Sequence, residues 1–224
     1  MTTEKHDHGS SGHGPDTSEL TEDEIRALFE QPAWDERYRS KDALFSGNPN
    51  RQVVAETEGL TPGTALDMGC GEGGDAVWLA CRGWRVTGTD FSAVALDRCA
   101  TLAERAGVAD RTEWRQGDAR TWKPDGEQWD LVSSQFIHLS DNSMPDLVRR
   151  LGDAVAPGGT LLVVGHHPSD LETGLRWSIN DILFTPEDLL PGLDPDAWDV
   201  RTEVRVREEH GVTVRDSVLV ARRR

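Results

Sequence analysis

The chain has 224 residues, enough for one α/β domain with a full core and little more. Its 24 Lys and Arg stand against 40 Asp and Glu, and the net charge of −16 opposes non-specific contact with nucleic acid or anionic membranes. No transmembrane run, secretory signal or paired cysteine spacing is present. We therefore expect a cytoplasmic protein, monomeric or homodimeric, that acts on a small molecule and has no nucleic-acid or membrane partner.

Residues 1–16 are rich in Gly, Ser and His and lack apolar periodicity, which predicts a disordered leader. Three leader histidines, His6, His8 and His13, could bind a metal weakly. A solvated tail explains the same composition, so no metal site is predicted there.

The next segment is predicted to be helical. Residues 21–24 (TEDE) have the pattern of a capping box, which starts a helix that Pro32 is predicted to end. Residues 34–56 are predicted to contain a short helix, a Gly/Asn/Pro loop and the beginning of another helix. Residues 17–60 are therefore expected to form a helical cap on a main domain of residues 61–224.

From residue 64 onward, short apolar strands alternate with amphipathic helices. The predicted strands cover residues 65–68, 85–89, 112–116, 129–136 and 160–164. The helices between them are predicted at residues 75–82, 92–106 and 147–155, and residues 199–207 and 212–221 alternate as a terminal hairpin. The fold class is therefore predicted to be α/β, with a Rossmann-like, doubly wound, mostly parallel seven-stranded sheet that ends in an antiparallel hairpin.

A glycine-rich turn follows the first predicted strand. Residues 69–74 (GCGEGG) fit the dinucleotide pattern G-x-G-x-x-G, but Asp67 stands two residues before the first glycine. A carboxylate facing a pyrophosphate about 4 Å away would cost several kcal/mol at a partly buried site. The same carboxylate would attract an ammonium group, and S-adenosylmethionine carries an ammonium, a sulfonium and no phosphate. Asp67 therefore favours S-adenosylmethionine over NAD.

Two further acids follow the next two predicted strands. Asp90 can accept hydrogen bonds from both ribose hydroxyls, which suits either cofactor. Asp118 can accept from the adenine amino group. Three acids at the carboxyl ends of three successive strands suit a ligand with one ammonium, one ribose and one adenine.

With these motifs the chain resembles the class I S-adenosylmethionine-dependent methyltransferases. The resemblance covers about residues 34–222 and also includes the strand 129–132 (WDLV), the turn 157–159 (PGG) and the terminal hairpin. It implies methyltransferase activity with S-adenosyl-L-methionine as cofactor. The cofactor-binding positions in the main domain would be Asp67, Gly69, Cys70, Gly71, Gly73, Asp90, Phe91, Ser92, Asp118, Ala119 and Gln135.

A narrower resemblance is carried by the cap. WDERYR (34–39) followed by LFSGNPN (44–50) is similar to the small-molecule branch that includes thiopurine and tellurite-type methyltransferases. In that branch the cap folds over the cofactor, and Trp34 and Tyr38 would contact it. The alternative is that both aromatic residues pack between helix and sheet.

The acceptor side is expected after the fourth and fifth strands. The resemblance places Gln135 and Phe136 beside the methyl group. His138 is the best candidate for a base, although a histidine bonded to the backbone is the structural alternative. His166 could also be catalytic or line the acceptor pocket; His167, its neighbour on the strand, would point to the opposite face, so a shared metal is not expected.

Two remaining features bear on the acceptor. Residues 168–184 form a long connection whose Trp177 and Phe184 could cover it, and Cys70 is interpreted as a small packing residue. We expect methyl transfer to a small-molecule acceptor, with a thiol or other soft nucleophile favoured. The alternatives are O- or N-methylation with a histidine base, an NAD(P)-dependent reductase, and a cofactor-binding protein without catalysis.

Overall fold

A computed structural model describes residues 20–175, 182–209 and 211–224. The leader with its three histidines, and Trp177, lie outside the described residues. The described α-helices are α1 (Glu22–Ala27), α2 (Gln31–Ser40), α3 (Arg51–Thr57), α4 (Gly74–Cys81), α5 (Ala93–Ala106) and α6 (Met144–Asp153). The described strands are β1 (Thr64–Met68), β2 (Arg85–Asp90), β3 (Thr112–Gln116), β4 (Trp129–Gln135), β5 (Val155–His166), β6 (Trp198–Glu209) and β7 (Val212–Arg223). No helix in these ranges is both long and apolar enough to span a bilayer.

The strands form one seven-stranded sheet in the order β3-β2-β1-β4-β5-β7-β6. Pairs among β1 to β5 are parallel, whereas β7 runs antiparallel to both β5 and β6. The chain order reverses between β1 and β4, so the crevice at their carboxyl ends is a topological switch point. The predicted fold class, including the terminal hairpin, is confirmed.

Apolar layers cover both faces of the sheet. On one face α6 packs against the sheet through Leu147 and Leu151, both fully buried. On the other face, α4 contributes Leu79 and α5 contributes Ala103. The central strands β1, β4 and β5 are buried on both faces over most of their length, which explains the continuous apolar run at residues 161–164 of β5.

Three predicted boundaries were wrong. The helix predicted at residues 147–155 is α6 (Met144–Asp153), and Val155 lies in β5. Pro32 does not end the first helix: α1 stops at Ala27, and Pro32 lies in the first turn of α2, where the missing N–H would have had no helical partner. The fifth strand begins at Val155 rather than residue 160, because a β-bulge lets Trp129 pair with Val155 before the regular register starts. The capping box at Thr21 is present as predicted.

Candidate functional site

A cleft of about 800 Å³ opens at the carboxyl ends of the parallel strands. Pockets for small ligands and cofactors span about 300–1,000 Å³, so this volume is near the upper end of that range. The cleft is lined by residues 69–72 and 74 of the glycine loop (residues 69–74), by the ends of β4 and β5 and by the cap. Its position is the one that doubly wound sheets use for ligands.

The glycine loop needs its glycines for conformation and for space. Gly69, Gly71 and Gly73 all have positive φ, at 73°, 52° and 85°. A Cβ on Gly69 would lie 2.5 Å from Ile137 Cδ1, and one on Gly73 would lie 3.1 Å from Cys99 Sγ. Gly69 and Gly71 line the cleft with bare backbone, whereas Gly73 caps α4 and does not line it.

Asp67 lies at the end of β1 beneath this loop and is 2% exposed. Among the described residues, none donates a hydrogen bond to its Oδ2 atom, which is buried. Burial, together with the nearby carboxylates of Asp75 and Asp90, raises the pKa of Asp67 well above its usual range. A buried carboxylate oxygen that lacks a donor fits a cationic ligand group and does not fit a phosphate.

Asp90 lies at the end of β2 with both carboxylate oxygens engaged by the backbone. Oδ2 accepts from the Gly71 N–H and Oδ1 from the Ser92 N–H, each at 2.9 Å. A carboxylate offers about four lone-pair sites, so each oxygen keeps capacity for one hydroxyl donor. Burial raises the pKa of Asp90. Ser92 caps α5, donates to Asp35 and is fully buried behind the cleft rather than lining it.

Asp118 and Ala119 line the far end of the cleft with Phe91. The guanidinium of Arg120 pairs with Asp118 at 2.7 Å and reaches Glu30, just before α2, at 2.6 Å. Burial alone would raise the pKa of Asp118, but the hydrogen bonds from Arg120 outweigh it and lower the pKa. An adenine amino group would have to share this carboxylate with Arg120.

The cap contributes aromatic side chains to the cleft. Trp34 and Tyr38 both line it, with ring centroids 5.8 Å apart. The Tyr38 hydroxyl lies 3.4 Å from the position that a Cβ on Gly71 would occupy. Arg37 stacks over the Trp34 ring at 4.7 Å. Tyr38 is only 3% exposed, so it is both part of the cleft lining and packed against its neighbours, and the contact of the two aromatic residues with the cofactor stays a prediction.

Two acids that sequence reasoning missed fasten the cap to the glycine loop. Glu72 accepts from the backbone N–H groups of Leu44 and Phe45 at 3.0 and 2.8 Å and pairs with Arg98. Arg98 also donates to the carbonyl oxygens of Tyr38 and Lys41.

Asp75, in the first turn of α4, is the second fastening point. It accepts from the N–H of Asn50, whose own side chain caps α3. Burial raises the pKa of Asp75 to about 6, although the bond from Asn50 opposes this. Asp75 lines the cleft close to Asp67, so cap and cofactor loop share one acidic cluster.

The other end of the cleft contains both candidate histidines and Gln135. His138 Nδ1 lies 2.7 Å from the Ile182 carbonyl oxygen, which requires the proton on Nδ1 and leaves the lone pair on Nε2. The His166 backbone N–H approaches that Nε2 at 3.5 Å, the outer limit of a hydrogen bond. The two imidazole rings stack with centroids 5.0 Å apart at 12°.

Phe136 links β4 to this histidine pair. Its φ of 56° is unusual for a bulky residue, and its ring lies 4.6 Å from the His166 ring. His167 points elsewhere and caps the following 3₁₀ turn through Ser169. Phe184 is a buried core residue that contacts the His138 ring from behind, at 5.6 Å, and does not line the cleft.

Cys70 is nearly buried in the glycine loop, with its Sγ 3.9 Å from that of Cys99. The contact with Cys99 and burial raise the pKa of the Cys70 thiol, which favours packing over reactivity. Within residues 20–175, 182–209 and 211–224, no group of three or more potential metal ligands is close enough to hold an ion.

Comparison with known proteins gives the family. Residues 65–159 match the family model described as "Methyltransferase domain". The trans-aconitate 2-methyltransferase of Streptomyces coelicolor is 31% identical over 195 residues, which cover 75% of this chain and 64% of that protein. The chain thus spans less than two thirds of the length of this relative.

Two solved structures share the fold. One is the magnesium protoporphyrin IX methyltransferase of Synechocystis with bound S-adenosylhomocysteine, at a TM-score of 0.66 and 18% identity, covering 91% of this chain and 100% of that one. The other is TehB from Haemophilus influenzae, at a TM-score of 0.64 and 19% identity, covering 85% and 67%. The domain match shows that residues 65–159 form a methyltransferase domain, and the two structures show that the chain has the fold of S-adenosylmethionine-dependent methyltransferases.

Proposed function

We propose that this chain transfers a methyl group from S-adenosylmethionine to a small-molecule acceptor. The observation that carries the proposal is the buried Oδ2 atom of Asp67, which lacks a hydrogen-bond donor among the described residues and lies beneath a loop of bare backbone. An ammonium group would supply the missing donor and the missing positive charge. A dinucleotide would bring phosphates to the same place, which disfavours the NAD(P)-dependent reductase.

In this proposal, the end of each of the first three strands binds a different part of the cofactor. Asp67 binds the ammonium, Asp90 accepts from the ribose hydroxyls with its remaining lone pairs, and Asp118 with Ala119 borders the adenine. Trp34 and Tyr38 cover the cofactor from the cap side, held there by Glu72. Gln135 borders the reacting methyl group at the end of β4.

When bound, S-adenosylmethionine supplies a methyl carbon activated by its sulfonium. The protein aligns the acceptor with that carbon and excludes water, because an in-line displacement is limited mainly by orientation. Sequence resemblance favours a thiol or another soft nucleophile as acceptor.

The histidine pair favours the alternative, O- or N-methylation with a base. The Nδ1–H of His138 is fixed on a backbone carbonyl, so Nε2 is the basic nitrogen. His166 stacks on that ring and restricts its orientation. We therefore assign His138 as the base that takes the acceptor's proton and His166 as a second catalytic candidate beside it.

Calorimetry tests the cofactor and a transfer assay tests the chemistry. S-adenosylhomocysteine should raise the Tm and bind by titration calorimetry, whereas NADH should do neither; a ligand at 100 times its Kd stabilises by about 2.7 kcal/mol. Labelled S-adenosylmethionine with thiol, phenol and amine acceptors then identifies the nucleophile. Tight binding of NADH with no response to S-adenosylhomocysteine would contradict the proposal, and binding without transfer to any acceptor would support a protein that holds the cofactor without catalysis.

His138→Gln separates the two kinds of acceptor. Glutamine keeps a polar side chain of similar reach but cannot take up a proton at neutral pH. With a phenol acceptor kcat should fall about 100-fold, the typical lower bound for losing a general base, and the acid limb of its pH profile should disappear. With a thiol acceptor that ionises on its own, kcat should change little.

A further inference from the structure

The part of the cleft beyond Gln135, here called the acceptor half, has six apolar side chains in its lining, beside the histidine pair and the charged residues Arg26, Arg207 and Glu209. Its apolar lining consists of Phe29, Phe136, Ile137, Leu175, Ile182 and Leu183. Such a wall favours burial of apolar surface, at about 25 cal/mol per Å² removed from water. A heavily hydrated acceptor would lose its water there without equivalent partners.

One side of the acceptor half is a column of flat rings. The Phe136 ring lies 4.6 Å from the His166 ring, which stacks on His138 at 5.0 Å. Phe136 occupies the left-handed region at φ 56°, a conformation that costs about 1–3 kcal/mol for a residue other than glycine. This strained backbone conformation lies beside the cleft, and the Phe136 ring forms part of the cleft wall. Flat rings of this kind pack best against another flat ring, at centroid separations of about 4.5–7 Å.

Two arginines that line the same cleft are already paired with carboxylates. Arg207 Nε lies 3.0 Å from the buried Asp216 and its Nη1 lies 2.6 Å from Glu209. Arg26 pairs with Asp141 at 3.5 Å. An acceptor with several carboxylates would have to compete with these partners and would face their negative charge at short range. At these two positions the positive charge is already neutralised by protein carboxylates, so a polyanion would gain less there than from an arginine without such a partner.

We propose that the acceptor is a planar aromatic molecule with one hydroxyl group, bound against the ring column, and not the tricarboxylic acid for which the curated relative is named. This inference rests on the proposed function. In the reaction the hydroxyl oxygen forms a bond to the methyl carbon and the carbon–sulfur bond breaks with its electron pair going to sulfur. The hydroxyl proton goes to His138 Nε2, and the products are the methyl ether and S-adenosylhomocysteine.

The test measures binding to protein saturated with S-adenosylhomocysteine. The probes are 2-naphthol, its saturated analogue decahydro-2-naphthol, and trans-aconitate. We expect 2-naphthol to bind at least 10-fold more tightly than the saturated analogue, which has a similar size but no flat ring. We expect no binding of trans-aconitate at 1 mM.

Two variants locate the effect in the protein. Phe136→Leu should weaken 2-naphthol binding roughly 3- to 10-fold, the range expected for loss of one aromatic pair. Arg26→Gln removes a cation that lines the cleft and should change that Kd less than 2-fold. Unchanged affinity for S-adenosylhomocysteine shows that each variant is folded, and the comparison of the two naphthols on the natural protein stands without either variant.

Equal binding of 2-naphthol and its saturated analogue, failure of 2-naphthol to bind, or binding of trans-aconitate at 1 mM would each overturn this inference. All three results leave binding of S-adenosylhomocysteine intact. If the natural protein does not bind S-adenosylhomocysteine, the proposed function itself fails, so the two failures are distinguishable.

Discussion

Replacing Asp67 with asparagine should weaken binding of S-adenosylhomocysteine and leave the free protein at least as stable as before. The two effects have opposite signs because the carboxylate is costly in the free protein and useful in the complex. In the free protein, burial of Asp67 and its repulsion by the nearby carboxylates of Asp75 and Asp90 raise its pKa. A neutral amide removes both the desolvation cost and the repulsion.

The expected loss of affinity follows from the contact that Asp67 would make. A hydrogen bond between charged groups contributes about 1.5–3 kcal/mol, and two unit charges 4 Å apart interact by about 4 kcal/mol at an effective dielectric constant of 20. Asparagine keeps one acceptor oxygen, so the lower part of this range applies. A loss of about 1.5–3 kcal/mol raises Kd roughly 10- to 150-fold.

Titration calorimetry gives the Kd, and urea unfolding without ligand gives the stability. Glu104→Gln, which removes an exposed carboxylate on α5 outside the cleft lining, is the control for the loss of one negative charge. An Asp67→Asn protein that is less stable but binds S-adenosylhomocysteine as tightly as the natural chain would show that Asp67 is a structural carboxylate, and the electrostatic reasoning would be refuted.

Three further predictions concern the same loop. Asp75 has a pKa of about 6 in the folded protein against an ordinary value of 3.8, so as the pH falls the folded state takes up a proton before the unfolded state does. The contribution of protonated Asp75 to the free energy of unfolding is therefore complete below pH 3.8 and is lost as the pH rises through 6. Urea unfolding at pH 7, 5 and 4 should show this increase in stability toward low pH in the natural protein, and Asp75→Asn should lack the part that Asp75 contributes. Glu72→Gln weakens the hold on the N–H of Phe45 and should speed dissociation of S-adenosylhomocysteine about 3- to 10-fold in stopped-flow measurements, as expected for loss of roughly 1 kcal/mol. Gly69→Ala combines backbone strain at a φ of 73° with a Cβ only 2.5 Å from Ile137 and should destabilise by about 2–4 kcal/mol. Gly47→Ala, with φ 72° but open space, should cost only the backbone strain of about 1 kcal/mol.

The parts of the site that could be predicted from the sequence have local signals. The positive φ values of Gly69 and Gly71 follow from a glycine-rich turn between strand and helix, and the period-2 and 3.6 patterns locate that strand and helix. Because carboxyl ends of parallel strands share one edge, the same patterns also place Asp67, Asp90 and Asp118 around one cleft.

The parts that could not be predicted depend on partners distant in sequence. Glu72 bonds to the backbone 27 and 28 residues before it, and no pattern around Glu72 names those amides. Pro32 was placed on the wrong side of a helix boundary, because proline can stop one helix or start the next and only packing decides between them. Ser92 caps α5, as the sequence predicts, and its role as a cofactor contact stays a prediction.

The attachment of the cap through Glu72 and Asp75 makes the amides of Leu44, Phe45 and Asn50 natural reporters of the site. Local opening that frees these amides must break the same bonds that hold the cap against the glycine loop. Hydrogen–deuterium exchange at these three positions should therefore slow in step when S-adenosylhomocysteine binds, while surface helices elsewhere keep their rates. The cap and the cofactor loop would thus open and close as one cooperative unit, and occupancy of the cleft could be measured without any knowledge of the acceptor.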